Sequence, residues 1–163
     1  MRYGLYIHIP FCRRKCFYCG FVSFTDCDDC IPAYINALIT EYKSKKCGNF
    51  EHAPYTIYIG GGTPSILPLK DIRRLLRALD KSAACEITFE INPDSCSSDL
   101  VRVLNDEGVT RVSLGVQSFN DAILQTLGRL HSASQAITAY QLLRQYDFKS
   151  VSLDLMFGVP GQT

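Results

Sequence analysis

The chain has 163 residues, of which 47% are hydrophobic and 20% are charged, and its formal net charge at pH 7 is +1. These values predict one globular domain with a sizeable core, and the near-zero charge gives no reason to expect a nucleic-acid partner. The sequence has no run of about 18 apolar residues, so we expect no membrane-spanning helix.

Strand-like and helix-like segments alternate along the whole chain. Strands are expected near residues 3–9, 54–60, 85–91, 110–117 and 150–156, and helices near 31–45, 68–80, 97–106 and 121–144, the last one broken near 128–132. This alternation predicts an α/β fold of parallel βαβ units, arranged either as a barrel or as a doubly wound sheet.

The first strand leads into a loop that carries three closely spaced cysteines. Pro10 ends the apolar alternation of residues 5–9, and Cys12, Cys16 and Cys19 follow. Three thiolates on one short loop are suited to an iron–sulfur cluster, because a four-iron cluster normally takes four cysteines and three would leave one iron open. The open iron would bind a substrate or a cofactor.

Two other interpretations of these cysteines remain open. Cys16 and Cys19 could join Cys27 and Cys30 in a four-cysteine zinc site, or the thiols could be structural only. The chain contains eight cysteines, and because a strand is expected from residue 3, we expect no signal peptide. We therefore expect a reducing compartment and a cytoplasmic protein.

Each predicted strand has one apolar and one polar face. We expect the apolar face to pack on helices; it carries Leu5, Ile7, Ile9, Ile57, Ile59, Ile87, Phe89, Ile91, Val112, Leu114, Val116, Val151, Leu153 and Leu155. The other, largely polar face carries Tyr6, His8, Thr56, Tyr58, Gly60, Glu86, Thr88, Glu90, Arg111, Ser113, Gly115, Gln117, Ser152, Asp154 and Met156. Buried polar groups need partners, so the polar face predicts the lining of a binding cavity; the alternative is a one-sided sheet with this face in water. Cys85 is expected to be a small buried hydrophobe on the third strand.

The carboxyl ends of the strands carry groups suited to ligand binding. The second strand ends in the glycine-rich turn 60–64, whose backbone a ligand can approach closely. Glu90, Gln117 and Asp154 end the next three strands, and Arg129 follows on the next segment. Ligands of parallel α/β folds bind at this edge, so we expect these groups to meet around one site.

Five motifs together resemble a known family. They are Tyr6-Ile7-His8-Ile9-Pro10-Phe11-Cys12, Tyr58-Ile59-Gly60-Gly61-Gly62-Thr63-Pro64-Ser65, Ser113-Leu114-Gly115-Val116-Gln117-Ser118-Phe119, Leu127-Gly128-Arg129-Leu130-His131 and Leu153-Asp154-Leu155-Met156-Phe157-Gly158-Val159-Pro160-Gly161. The chain resembles the radical S-adenosylmethionine (SAM) superfamily, and within it the family of oxygen-independent coproporphyrinogen III oxidases and related heme chaperones.

The resemblance implies a partial (β/α)6 barrel, a [4Fe-4S] cluster and SAM. Cys12, Cys16 and Cys19 would hold three irons, and the fourth iron would bind the amino and carboxylate groups of SAM. The cofactor-binding positions of the family correspond to Tyr6, Gly61, Gly62, Thr63, Glu90, Gln117, Arg129 and Asp154.

Two departures from the oxidase pattern refine the expectation. The oxidase usually has a further cysteine where this chain has Phe21, and phenylalanine resembles the heme chaperone branch. The match also stops just after the fifth strand, so we expect residues 1–163 to be an incomplete radical SAM core that continues with a sixth strand and a carboxy-terminal domain.

The function implied is therefore that of a heme chaperone, with porphyrinogen oxidation and a non-catalytic zinc domain as alternatives. The implied partners are heme or a porphyrin, an electron donor such as flavodoxin or ferredoxin, and a heme acceptor protein. The basic residues Arg13, Arg14 and Lys15 are a candidate docking point for an acidic redox partner.

Overall fold

The computed structural model describes residues 2–49 and 52–162, and in this part of the chain the strands form one sheet. Its strands are β1 (Gly4–Ile9), β2 (Thr56–Gly61), β3 (Glu86–Ile91), β4 (Arg111–Gln117) and β5 (Ser150–Leu155). All neighbours are parallel and their order follows the sequence, β1-β2-β3-β4-β5. A doubly wound sheet reverses its strand order at a switch point, so this arrangement is a partial barrel.

Five α-helices lie between the strands in the described part of the chain. They are α1 (Ile31–Asn49), α2 (Leu69–Ala78), α3 (Ser98–Asp106), α4 (Asp121–Thr126) and α5 (Ala133–Leu143). Their ends follow local signals: Ser97 accepts a hydrogen bond from the Leu100 N–H, and Ser132 and Gln135 form a reciprocal capping box at α5. The predicted break between residues 128 and 132 is confirmed by the separation of α4 from α5.

The hydrophobic core lies between the apolar face of the sheet and the helices. Phe89 at the centre of β3 is fully buried, and the same cluster contains Ile35 of α1, Ile72 of α2, Leu100 of α3 and Ala136 of α5. Because helices cover only the apolar face, the polar face is left to form the inside of the partial barrel.

The polar face satisfies many of its own groups. Thr88 is fully buried and donates to Glu86 over 3.0 Å. Arg111 donates to Ser152 over 3.2 Å, linking β4 to β5. The face is therefore an internally bonded wall, as expected for the lining of a cavity. Within the described residues, no helix is both long and apolar enough to cross a membrane.

Two expectations about burial are wrong. Leu155 is 59% exposed, because the β4–β5 register shifts between Leu114 and Gln117 and β5 is an edge strand of the described sheet. Cys85 is exposed and precedes the first residue of β3, so it is not a buried strand residue.

Candidate cofactor site

One cavity of about 270 Å³, here called the rim cavity, gathers nearly all of the predicted site residues at the carboxyl ends of the strands. It is lined by the cysteine loop, the glycine turn and the ends of β3, β4 and β5. The predicted residues in its wall are Cys12, Cys16, Cys19, Gly61, Gly62, Thr63, Glu90, Gln117, Arg129 and Asp154. Tyr6 is not in this wall.

The cysteine loop is closed at its base by backbone hydrogen bonds. The Cys12 N–H donates to the Phe24 carbonyl over 3.0 Å, and the Phe24 N–H donates to the Pro10 carbonyl over 2.7 Å. On its far side the Phe17 N–H donates to the Leu127 carbonyl at the end of α4 over 3.2 Å. The main chain itself therefore holds the three thiols around the cavity.

The glycine turn packs directly against the cysteine loop. The Gly62 N–H donates to the Ile9 carbonyl over 2.8 Å. A Cβ atom on Gly62 would lie 2.6 Å from the Phe11 carbonyl oxygen and 2.9 Å from the Cys12 sulfur. Gly61 has a φ of 120°, which side chains rarely adopt. Only glycine fits this approach.

Glu90 is a half-buried carboxyl group held by two donors. It accepts hydrogen bonds from the Tyr58 hydroxyl over 2.7 Å and from the Gly61 N–H over 3.1 Å. Burial raises the pKa of Glu90, while these two donors act in the opposite direction. Burial and the bond to Glu90 also raise the pKa of Tyr58. The remaining lone pairs of Glu90 can accept from a ligand hydroxyl or ammonium group.

Asp154 and Gln117 form the β4–β5 side of the rim. The buried Ser113 hydroxyl lies 2.9 Å from each oxygen of Asp154, which remains exposed towards the cavity side. Gln117 has a φ of 68° at the register shift. A left-handed conformation is costly for a residue with a side chain and is typical of functional sites.

Arg129 reaches from the segment after α4 into the centre of the site. Its Nη2 donates to the Gly115 carbonyl over 2.6 Å and to Asn92 Oδ1 over 2.8 Å, while Nη1 lies 3.4 Å from the Cys16 sulfur. Among the described residues, its buried Nε and the buried Ser23 hydroxyl, also in the cavity wall, have no partner. Unsatisfied donors in this wall fit a ligand with anionic or polar groups.

Tyr6 lies one residue layer below the rim. It is level with Tyr58 in the strand register and stacks on that ring at 6.0 Å, whereas Glu90 is two residues further along the sheet. Its hydroxyl lies 3.0 Å from His8 Nδ1, and His8 Nε2 lies 2.8 Å from the Val22 carbonyl. His8 is therefore a satisfied histidine that ties β1 to the cysteine loop.

Three wall residues were missed at the sequence level. Asn92 follows Glu90 on the same alternation, so a signal was available; Ser113 was assigned to the polar face without a role. Tyr18 sits among the cysteines, and burial raises its pKa to about 12. Because Tyr18 lies in a loop, no strand or helix periodicity in the sequence indicated that it would face the cavity.

The three cysteines of the loop could hold either a mononuclear zinc ion or a [4Fe-4S] cluster. Within residues 2–49 and 52–162, no group of three or more His, Cys, Asp or Glu side chains is arranged to hold a single metal ion. A cubane cluster places each cysteine on a different iron, so its sulfurs need not converge on one point. Cys12, Cys16 and Cys19 are unpaired thiols in one wall and fit such a cluster. The side chain of Cys47 lies outside the described part.

The family model described as the radical SAM superfamily matches residues 6–163, and the chain belongs to that superfamily. Membership implies a [4Fe-4S] cluster and SAM as cofactors.

Among curated proteins, the chain is similar to members of one family of heme metabolism. It is 41% identical to the heme chaperone HemW of Lactococcus lactis over 97% of this chain and 42% of that protein. It is 37% identical to HemW of Bacillus subtilis over 97% of this chain and 43% of that protein. The oxygen-independent coproporphyrinogen III oxidase of Bradyrhizobium diazoefficiens is 34% identical over 98% of this chain and 37% of its own length.

Among solved structures, the coproporphyrinogen III oxidase HemN of Escherichia coli, described as a radical SAM enzyme, superposes with a TM-score of 0.89 and 30% identity. This likeness covers 99% of this chain and 38% of HemN. The chain thus spans less than half the length of the relatives it matches, and the expected sixth strand and carboxy-terminal domain stay a prediction.

Proposed function

We propose that this chain is the cofactor-binding part of a heme chaperone that holds a [4Fe-4S] cluster on Cys12, Cys16 and Cys19 and SAM beside it. The observation that carries the proposal is the rim cavity, which brings the three thiols together with the glycine turn. The cluster and SAM, when bound, supply one-electron chemistry.

The residues of the rim are proposed to seat SAM. Gly61, Gly62 and Thr63 provide a close-fitting backbone wall for its methionine part. Glu90 and Asp154 accept from hydroxyl or ammonium groups. The other two proposed cofactor residues of the rim are Gln117 and Arg129, and Tyr6 remains proposed at the level below.

Chaperone function is supported by Phe21 and by the HemW relatives. Phe21 lines the rim cavity with 63% of its surface exposed, at the position where the oxidase family usually has a cysteine. It follows that heme or a porphyrin is the proposed ligand of the whole protein. The test is a hemin titration of the anaerobically reconstituted full-length protein: a saturable shift of the Soret band is expected, and its absence would refute the chaperone proposal.

Cluster assignment is tested separately by metal analysis. Wild-type full-length protein and the Cys85→Ser control, which alters an exposed thiol outside the cavity, should each contain about four iron atoms. Cys16→Ala should lose most of that iron. Zinc in place of iron and sulfide would overturn the assignment.

A second candidate function is oxidative decarboxylation of coproporphyrinogen III, favoured by the close superposition on HemN. Incubation of the full-length protein with dithionite, SAM and coproporphyrinogen III distinguishes the two. Formation of protoporphyrinogen IX would favour the oxidase, whereas the chaperone proposal expects none.

We further propose a cytoplasmic location and two protein partners, an electron donor such as flavodoxin or ferredoxin and a heme acceptor. The basic run is exposed within the cysteine loop itself: Arg14 stacks over Phe17 at 5.4 Å, and Arg13 lies 3.7 Å from Asp94. Positive charge at this position complements an acidic donor protein. Electron transfer rates that fall steeply with added salt would support this docking, and salt-independent rates would contradict it.

A further inference from the structure

We propose that Asn92 is a positioning residue that orients hydrogen-bond donors onto two of the three cysteine sulfurs and thereby raises the reduction potential of the cluster. The inference rests on the cluster assignment proposed above and adds a residue to which no role has been given. Asn92 stands directly after β3, between the glycine turn and Arg129.

Asn92 connects to both sulfurs through one intermediate residue each. Its Nδ2 donates to the Thr63 hydroxyl over 3.2 Å, and that hydroxyl donates to the Cys12 sulfur over 3.5 Å. Its Oδ1 accepts from Arg129 over 2.8 Å, and the other Nη of Arg129 donates to the Cys16 sulfur over 3.4 Å. The side-chain amide of Asn92 therefore links two donors, the Thr63 hydroxyl and the Arg129 guanidinium, which we call the two donor arms.

The direction of each bond follows from the chemistry of the groups. A guanidinium has only donors, so the atom of Asn92 that faces Arg129 must be the carbonyl oxygen. The amide NH₂ then faces Thr63 and occupies a lone pair of its hydroxyl oxygen. This leaves the hydroxyl proton of Thr63 free to point at the Cys12 sulfur.

The backbone of Asn92 is held in place. Its N–H donates to the Ser65 hydroxyl over 3.1 Å, and its carbonyl accepts from the N–H and the hydroxyl of Ser95, each over 3.0 Å. Pro93 follows and limits the backbone further. The amide is therefore preorganised for both arms.

Donors to cluster sulfurs affect the two oxidation states unequally. A one-electron reduction adds negative charge to the cluster and its thiolates, and hydrogen bonds to the sulfurs stabilise that charge. The positive charge of Arg129 acts in the same direction. Losing the arms should therefore shift the midpoint potential to more negative values.

The experiment measures the midpoint potential of the reconstituted full-length protein by a dithionite titration followed by EPR, without SAM. Asn92→Leu, close in size but unable to hydrogen-bond, should reduce the ratio of reduced to oxidised cluster at a fixed potential about tenfold, which is about 59 mV for one electron. Thr63→Val should give a smaller negative shift, and Thr63→Ser none. Asn36→Leu on α1 is the matched control and should leave the potential unchanged.

A double variant distinguishes a role of Asn92 in orienting Thr63 from a general disturbance of the site. Because Asn92 orients Thr63, adding Thr63→Val to Asn92→Leu should shift the potential less than Thr63→Val does alone. Equal potentials in wild type and Asn92→Leu at full iron content would overturn the inference. If Asn92→Leu takes up no cluster, identical potentials for Thr63→Val and Thr63→Ser would overturn it. A wild type without a cluster refutes the cluster assignment as well.

Discussion

Gly62 provides the sharpest test of the contact between the glycine turn and the cysteine loop. In Gly62→Ala the new methyl group would lie 2.6 Å from the Phe11 carbonyl oxygen, 2.9 Å from the Cys12 sulfur and 3.0 Å from the Ile9 carbonyl oxygen. Two of these neighbours are backbone atoms that cannot rotate away. The two chain segments must therefore separate.

The cost of this separation has two parts. Overpacking of a tight site costs about 1–3 kcal/mol. The hydrogen bond from Gly62 to Ile9, 2.8 Å long, would stretch, and losing such a bond adds about 1 kcal/mol. The variant should therefore lose about 2–4 kcal/mol of unfolding free energy, and it should displace the Cys12 sulfur from its position in the cavity.

Urea denaturation of the cofactor-free protein measures the first effect, and iron content after anaerobic reconstitution measures the second. Gly20→Ala is the matched control, because a Cβ atom on Gly20 meets nothing within 4 Å in the same loop. The control should change stability by less than about 0.5 kcal/mol. A Gly62→Ala protein with wild-type stability and iron content would show that the contact is unimportant.

Three further predictions concern the scaffold. Phe89→Ala, at a fully buried site, should cost about 3–5 kcal/mol in urea denaturation; a loss below about 1 kcal/mol would contradict the described core. Ser132→Ala removes the capping box of α5 and should lower the free energy of unfolding by about 1 kcal/mol. Ser132→Thr keeps a hydroxyl at this position and should retain most of that stability. Burial and the neighbouring Arg129 lower the pKa of His131, so the unfolded chain takes up the proton first as the pH falls. Stability should therefore be full above pH of about 6.5 and decline below it, and His131→Gln should flatten that decline.

The alternation of strands and helices could be predicted because each element carries its own period. The strand expected at 3–9 is observed at Gly4–Ile9, and the helix expected from residue 31 begins there, with Pro32 in its first turn. The alternation of polar and apolar residues also identified the inner wall. These features depend on residues that are close together in the sequence, so they can be predicted from the sequence without knowing the fold.

The features that were missed depend on contacts across the fold. Leu155 turns outward because of a register shift near Gln117, and no local signal marks such a shift. The height of Tyr6 relative to Glu90 in the sheet can be known only from the strand register. Arg129 contacts Cys16, which is 113 residues away in the sequence. The sequence around a long side chain does not indicate which distant residue it will contact.

The hydrogen-bonded base of the cysteine loop has a consequence for what happens when the cluster is lost. Phe24, which follows the thiol segment, is bonded to Pro10 and Cys12 at the start of that segment, so two backbone hydrogen bonds that involve no metal close the loop. If the cluster is lost, these two hydrogen bonds can remain, because neither of them uses a cysteine sulfur. We therefore expect iron and sulfide to be able to re-enter the same loop without refolding of the chain.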